Sequence, residues 1–267
     1  MPRLTPHVGA KVLILDIETA PILARVWRTF KENVGLNQIE HDWYILSFAA
    51  KWTHQKRIIY KDQSQAVDIE DDRSLLGHLH ALLDEADIIV AHNGRKFDMK
   101  KINARFFALG FPPPSPYHIV DTLEIAKGSF AFTSNRLAFL TDQFCTEKKM
   151  AHAKFPGFEL WKECLKGNQE AWKEMARYNK QDVTSLEELY VKMRGWAVGH
   201  PNVGAIKGTL STEACPKCGS EDVKQDGYTY TKGGGMYLRY RCGCCGGYSR
   251  GRYVQQSRAQ RKRMLVN

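Results

Sequence analysis

In VLILDIETAP, residues 12 to 21, an apolar and largely β-branched run ends in two carboxylates, Asp16 and Glu18. The run reads as a strand buried on both faces of a sheet. Side chains two apart on a strand point the same way, so both carboxylates emerge on one face within a few ångströms of each other. Like charges so placed repel. A turn cap combined with a lysine partner is one use for such a pair. A divalent cation is another, because carboxylate oxygens are the preferred ligands of a hard ion such as magnesium. The cation reading requires further carboxylates elsewhere in the chain.

Asp98 and Asp182 are the candidates. Asp98, in HNGRKFDMKK, follows the apolar run DIIVAH and a short Gly-containing turn, so it opens the next helix near the edge of a sheet shared with the first strand. Capping that helix is its alternative use. Tyr178 and Asp182, in RYNKQDV, lie four residues apart on a helical stretch and share a face, where a solvated polar pair is the alternative.

A second chemistry is written in cysteine. Five of the seven cysteines fall between 215 and 245, and CPKC and CGCC give two CxxC pairs, Cys215 with Cys218 and Cys242 with Cys245. Four thiolates so spaced fit one closed, tetrahedral, structural zinc site, with disulfides as the alternative that a reducing compartment disfavours. The CxxC spacing favours Cys245 as ligand and Cys244 as bystander, with an exchange of the two within the CGCC turn as the alternative. The spacer holds β-prone runs around a GGG turn, a zinc ribbon, and Gly219 and Gly246 suit the tight turns after each pair.

The elements that must position these groups follow from the pattern. WYILSFAAKW (43–52) and RIIY (57–60) read as a strand hairpin, SLLGHLHALLDEA (74–86) as a helix, and DIIVAH (87–92) as a strand. FDMKKINARFFALG (97–110) is an amphipathic helix stopped by Gly110 and PPPSP, YHIVD (117–121) a strand, and 122–196 mostly helical. Residues 21–42 form a polar, Trp-containing connection. The alternation implies an α/β sheet. The expected division is a catalytic domain over 1–198, a Gly/Pro/Ser/Thr-rich linker over 199–212, the ribbon over 213–254 and a basic tail over 255–267, whose RAQRKRM is expected to be disordered until bound.

The formal net charge is +10, and residues 211–267 hold 11 Lys/Arg against 4 Asp/Glu, so the basic excess concentrates in the tail and suggests a polyanionic partner. In the ribbon, Tyr237, Arg239, Tyr240, Arg241, Tyr248, Arg250, Arg252 and Tyr253 interleave rings and cations, an arrangement suited to phosphate contact and base stacking. A protein-binding ribbon is the alternative. No apolar run reaches the ~20 residues of a membrane span and no secretory segment opens the chain, so a cytoplasmic protein is expected.

DIET, NGRKFD and YNKQDV, in that order and roughly 80 residues apart, resemble the three sequence blocks of the DEDD exonucleases, a branch of the ribonuclease H-like superfamily that includes polymerase proofreading domains. Tyr178, ahead of Asp182, is similar to the tyrosine subclass; where the histidine subclass carries its His, this chain has Arg177. VDTLEIAK, FTSNRL and GFELWKECLKG resemble a bacterial and phage branch. The resemblance covers about residues 10–196.

The resemblance implies a mixed five-stranded sheet flanked by helices and a 3′→5′ exonuclease that releases 5′ mononucleotides. Two Mg2+ or Mn2+ ions would be held by Asp16, Glu18, Asp98 and Asp182. In that scheme Asp16 bridges, Glu18 and Asp182 serve the ion that carries the nucleophilic water, and Asp98 serves the other. Tyr178 orients the water, since a phenol with a free pKa near 10 is a poor base at neutral pH. Thr19, Asn93 and Phe97 would touch the terminal nucleotide, and Arg136 and Lys154 are placed to reach a phosphate. The implied partner is nucleic acid: single-stranded or frayed 3′ ends of DNA, with RNA as the second choice, in a bacterial or phage-infected cell. A structure-specific, resolvase-like endonuclease and a non-catalytic nucleic-acid binder are the competing classes. The tyrosine block argues against the first. Four clustered acids argue against the second, because a phosphate binder has no use for them without metal.

Overall fold

The computed structural model describes residues 9–53, 55–148, 154–206 and 213–265. The chain divides into two compact units, one formed by Lys11–Lys127 with Ala131–Leu189, the other drawn mainly from Tyr190 onward together with Gly128–Phe130.

The first unit is built on a five-stranded sheet: β1 (Val12–Thr19), β2 (Ile45–Trp52), β3 (Ile59–Asp62), β4 (Ile88–Ala91) and β5 (His118–Asp121), in the order β3-β2-β1-β4-β5. β1 is antiparallel to β2 and parallel to β4, β2 is antiparallel to β3, and β4 is parallel to β5. The helices are α1 (Arg73–Glu85), α2 (Asp98–Ala108), α3 (Thr122–Ser129), α4 (Leu137–Phe144), α5 (Glu159–Leu165) and α6 (Gln169–Met193). This is the α/β sheet that the strand and helix pattern predicts, in the mixed five-stranded, helix-flanked form that the resemblance implies.

Alternation along β1 decides what each face does. Leu13, Leu15 and Ile17 are buried in a cluster with Leu75, Leu76, Leu79 and Leu83 of α1 and Met99, Ile102 and Phe106 of α2. Each such side chain contributes about 1.5–3 kcal/mol by leaving water. The opposite face carries Asp16 and Glu18. A second cluster is made by Ala20, Tyr44 and Leu46 with Leu160 and Cys164 of α5 and Ala171, Trp172, Met175 and Tyr178 of α6. Asp72, fully buried, ties the unit together: it accepts the Ile45 N–H at 2.9 Å and is gripped by Arg105, whose Nη2 lies at 2.6 Å.

Residues 21–42, read from sequence as a polar connection, contain a short hairpin of Leu23–Ala24 with Ile39–His41. Its two- and three-residue strands are too short for a period-two pattern to register.

In the second unit α7 (Val203–Ile206) is followed by a three-stranded antiparallel sheet, β6 (Val223–Tyr230), β7 (Met236–Cys242) and β8 (Tyr248–Val254), in the order β8-β7-β6. Of the expected linker, 207–212 lies outside the described residues, while Val203 donates its N–H to Pro216 O at 2.8 Å beside the first cysteine pair. The tail departs from expectation. α8 (Arg258–Lys262) is started by a capping box in which Ser257 Oγ accepts the Gln260 N–H at 3.1 Å and Gln260 Oε1 accepts the Ser257 N–H at 2.8 Å. Those two bonds satisfy helix donors that a basic composition alone does not reveal.

Candidate active site and cysteine cluster

Asp16 and Glu18 stand on the face of β1 that looks toward α6, beside Ala49 and Ser47, their partners on β2. A carboxylate oxygen from each of Asp16, Glu18 and Asp182 lies within 4.8 Å of the others. The strand supplies two acids by its period of two, and α6 supplies the third from a residue 1% exposed. Three anionic oxygens at that spacing are a donor set for a hard divalent ion.

Asp98 is outside that triad but beside it. It is the first residue of α2, is buried, and its Oδ1 accepts the Ile17 N–H, the peptide between the two β1 acids, at 3.3 Å. Burial pushes its carboxyl up to about 7; the backbone N–H groups of Asp98 and Ile17 oppose the rise and the charge of Asp121 adds to it.

The turn that delivers Asp98 is fixed chiefly by Asp121, which the sequence reading passed over. Asp121, buried at the end of β5, accepts the N–H groups of Asn93 at 2.9 Å, Arg95 at 3.2 Å and Leu123 at 3.0 Å. Asn93 takes a left-handed backbone (φ 65°), and its carbonyl accepts the Phe97 N–H at 2.9 Å. Gly94 is required by closeness: a Cβ there would meet the Ala91 Cβ at 2.3 Å. The signal for Asp121 was present in VDTLEIAK, without any indication of what it would hold.

Asn179 was also missed. Fully buried on α6, it donates from Nδ2 to Asp16 Oδ2 at 2.6 Å, while its Oδ1 accepts from Ser47 Oγ at 3.2 Å. A neutral donor at this position fixes the rotamer of Asp16. Asn179 lies inside the quoted block YNKQD, but only the fold shows that it faces β1.

The other expected residues are distributed as follows. Tyr178 is 8% exposed, with its ring edge-on to Trp161 at 6.1 Å. Thr19 follows a bulge in the β1–β2 register and pairs with Ile45. Phe97 is 39% exposed at the start of α2. Arg136 is exposed at the start of α4, and Lys154 is exposed and paired with Glu170 at 3.1 Å, so its head group is already engaged by an acid. Arg177 pairs with Glu174.

In the second unit the thiols of Cys215, Cys218, Cys242 and Cys245 all lie within 4.8 Å of one another, with Cys215 to Cys245 and Cys218 to Cys242 each at 3.6 Å. Four sulfurs at about 2.3 Å from one zinc sit roughly 3.8 Å apart, so the spacing fits a tetrahedral ion. The turns are closed by Gly219 and Gly246, both left-handed (φ 72° and 69°), which return N–H groups to Cys215 O and Cys242 O at 2.8 and 3.0 Å. Burial raises the Cys218 thiol; at Cys242 burial is outweighed by N–H groups of Cys245 and Cys244, which bring it down to about 7. Cys244 is exposed and outside the cluster, 3.8 Å from Arg194 Nη2.

The β7–β8 register sorts the ring-and-cation run into two faces. Tyr248 pairs with Arg241, Arg250 with Arg239 and Val254 with Tyr237, so Tyr237, Arg239, Arg241, Tyr248 and Arg250 share one face. Arg250 lies 4.2 Å from the Tyr237 ring centre and Arg239 5.3 Å from that of Tyr248. Tyr240 belongs to the other face and donates to Glu213 at 2.8 Å. Of the expected run, Tyr240 thus stands apart from the five residues that share a face.

Residues 31–194, more than half of the chain, match the family described as RNase_H superfamily. The chain belongs to the ribonuclease H superfamily. The matched span contains Asp98, Tyr178 and Asp182, while Asp16 and Glu18 precede it. A solved structure, the family B DNA polymerase from the hyperthermophilic archaeon Pyrobaculum calidifontis, is similar over 85% of this chain and 32% of that one, at 13% identity and a TM-score of 0.47. The chain thus spans about a third of that polymerase. Among curated proteins none matches. Among the described residues of this ribonuclease H superfamily member, no helix is long and apolar enough to cross a membrane.

Proposed function

We propose that the chain is a metal-dependent 3′→5′ exonuclease of the tyrosine DEDD subclass, releasing 5′ mononucleotides from single-stranded or frayed ends, with DNA preferred over RNA. The observation that carries the reading is the gathering of Asp16, Glu18 and Asp182 within 4.8 Å, with Asp98 hydrogen-bonded to the peptide between the first two. Asp16, Glu18 and Asp182 would hold one Mg2+ or Mn2+, with Asp16 shared and Asp98 serving the second. The ions would supply Lewis acidity to both oxygens of an in-line displacement. Asn179 aims Asp16 through its hydrogen bond, and Asp98, held against the Ile17 peptide, would serve the second ion. Tyr178 orients the attacking water; Thr19, Asn93 and Phe97 receive the terminal nucleotide.

In the same reading residues 213–254 form a zinc ribbon in which zinc is structural, since four thiolates leave no open position. Its face of Tyr237, Arg239, Arg241, Tyr248 and Arg250 contacts the nucleic-acid backbone. Placement in a bacterial or phage branch rests on VDTLEIAK, FTSNRL and GFELWKECLKG.

The test is a magnesium or manganese time course on a 5′-labelled single-stranded DNA and its RNA equivalent, run beside Asp16→Ala. The expected result is a ladder of shortening labelled products, faster on DNA and absent in the variant. Cleavage of an uncut circle, or a ladder that persists in Asp16→Ala, would overturn the reading.

A further inference from the structure

The excursion that leaves β1 directly after its two acids has no role in the site described above. Thr19 pairs with Ile45, and the Ala20 N–H donates to Tyr44 O at 2.9 Å, so the strap from Pro21 to Trp43 starts and returns at the strand end that carries Glu18. The short hairpin of Leu23–Ala24 with Ile39–His41 holds its two limbs together. Its tip reads RVWRTFK, residues 25–31, in which three cations alternate with two aromatic rings and no acid.

Those rings are not core residues. Trp27 is 94% exposed and Phe30 83% exposed, an unusual display for large apolar side chains on one short segment. Arg25 and Arg28 flank them; each has an acidic neighbour, Glu40 at 2.5 Å and Glu32 at 3.2 Å, while their own side chains remain 85% and 76% exposed.

At the foot of the strap a second ring-and-cation group continues toward the acids. Lys101 of α2 lies 3.5 Å from the Trp43 ring centre and 5.9 Å from that of Phe97, the residue immediately before Asp98. Exposed aromatic faces interleaved with cations are what a flexible, unpaired polynucleotide requires, because every base has a face to stack and every link a phosphate to neutralise. A paired duplex hides its base faces and cannot use the rings.

We propose that the strap, through Trp27 and Phe30 at its tip and Trp43 and Lys101 at its foot, is a stacking platform for the unpaired strand that leads to the acidic centre. The inference rests on the nuclease reading for the direction of the strand, but not for its occupant. The strap as a whole balances three Lys/Arg against three Asp/Glu, but its tip carries its cations on the same short segment as the two exposed rings, and that combination favours a polyanion with open base faces.

The experiment is equilibrium binding of a short fluorescent oligothymidylate and of a blunt duplex to the full chain, with calcium in place of magnesium so that the strand is held without turnover. The double variant Trp27→Ala/Phe30→Ala is expected to lose roughly tenfold or more in affinity for the single strand and almost none for the duplex, whereas Trp27→Phe, which keeps a ring, stays close to wild type. Single-strand affinity within about threefold of wild type in the double variant, or an equal loss on the duplex, would overturn the platform. So would a concentration-dependent dimer that the double variant dissolves while strand affinity is unchanged, since the rings would then serve a second copy of the chain. A wild type that binds the strand through the strap but never shortens it in magnesium would sink the nuclease reading alone.

Discussion

The acidic centre and the cysteine cluster each gather side chains of metal-ligating type, yet the chain holds them in opposite ways. Asp16, Glu18, Asp98 and Asp182 are supported by two apolar clusters and a fully buried Asn179. The ligands are guests of a fold that stands on its own core. Between residues 213 and 265 the only buried side chains among the described residues are those of Cys215 and Cys242. There the ligands are the core. Repelling charges are tolerated where apolar burial offsets them, and a module with almost no apolar burial would depend for its fold on an ion held by its cysteines.

That contrast is most directly broken by taking the metals away. Zinc bound by such modules contributes roughly 10–16 kcal/mol, so stripping it, or replacing Cys218 by Ser, should unfold 213–265 outright. Limited proteolysis and zinc analysis should then report cleavage confined to that region, with one zinc per chain before treatment. Chelating magnesium should instead abolish hydrolysis with the far-ultraviolet circular dichroism unchanged.

Next in size is Asp16→Ala. Hydrolysis should fall by about a thousandfold or more, roughly 4 kcal/mol of barrier, while the thermal midpoint of the first unit stays put. A collapse of the fold together with activity would mean that this acid is structural after all.

Asp72→Ala sharpens the comparison from the side of the core. It leaves Arg105 and the Ile45 N–H without their buried acceptor and should cost about 3 kcal/mol, read by urea unfolding as a lower midpoint for the first unit only. The smallest effect is expected at Asn179→Ala. Loss of an outer partner of a metal ligand typically costs 10–100-fold, so kcat should fall by about that much, KM should move little, and more manganese should be needed to saturate the enzyme.

Much of this was legible in one dimension. The sheet-buried strand that ends in Asp16 and Glu18, the α2 helix with its Gly110 stop and the two CxxC pairs are local patterns, and the structure reproduces each. The hairpin inside 21–42 was not legible because its strands are too short to show a period. The α8 helix in the tail was not legible because its support is a reciprocal pair of capping bonds within a segment whose charge suggests disorder. The ring-and-cation run of the ribbon could be named but not sorted, because only the β7–β8 register assigns Tyr240 to one face and Tyr237 to the other.

The sequence by itself determined which ligands exist and how neighbours share a face: Asp16 with Glu18 by the period of two, Tyr178 with Asp182 by the helical turn, and each cysteine with its CxxC partner. Those relations depend on backbone geometry, which is local. Only the tertiary structure decided that Asp182 closes on Asp16, that Asn179 and Ser47 support it, that Asp121 pins the turn delivering Asp98, and that Lys101 sits between Trp43 and Phe97. Those contacts join residues brought together by packing across a sheet, and no local period specifies which distant side chain will arrive.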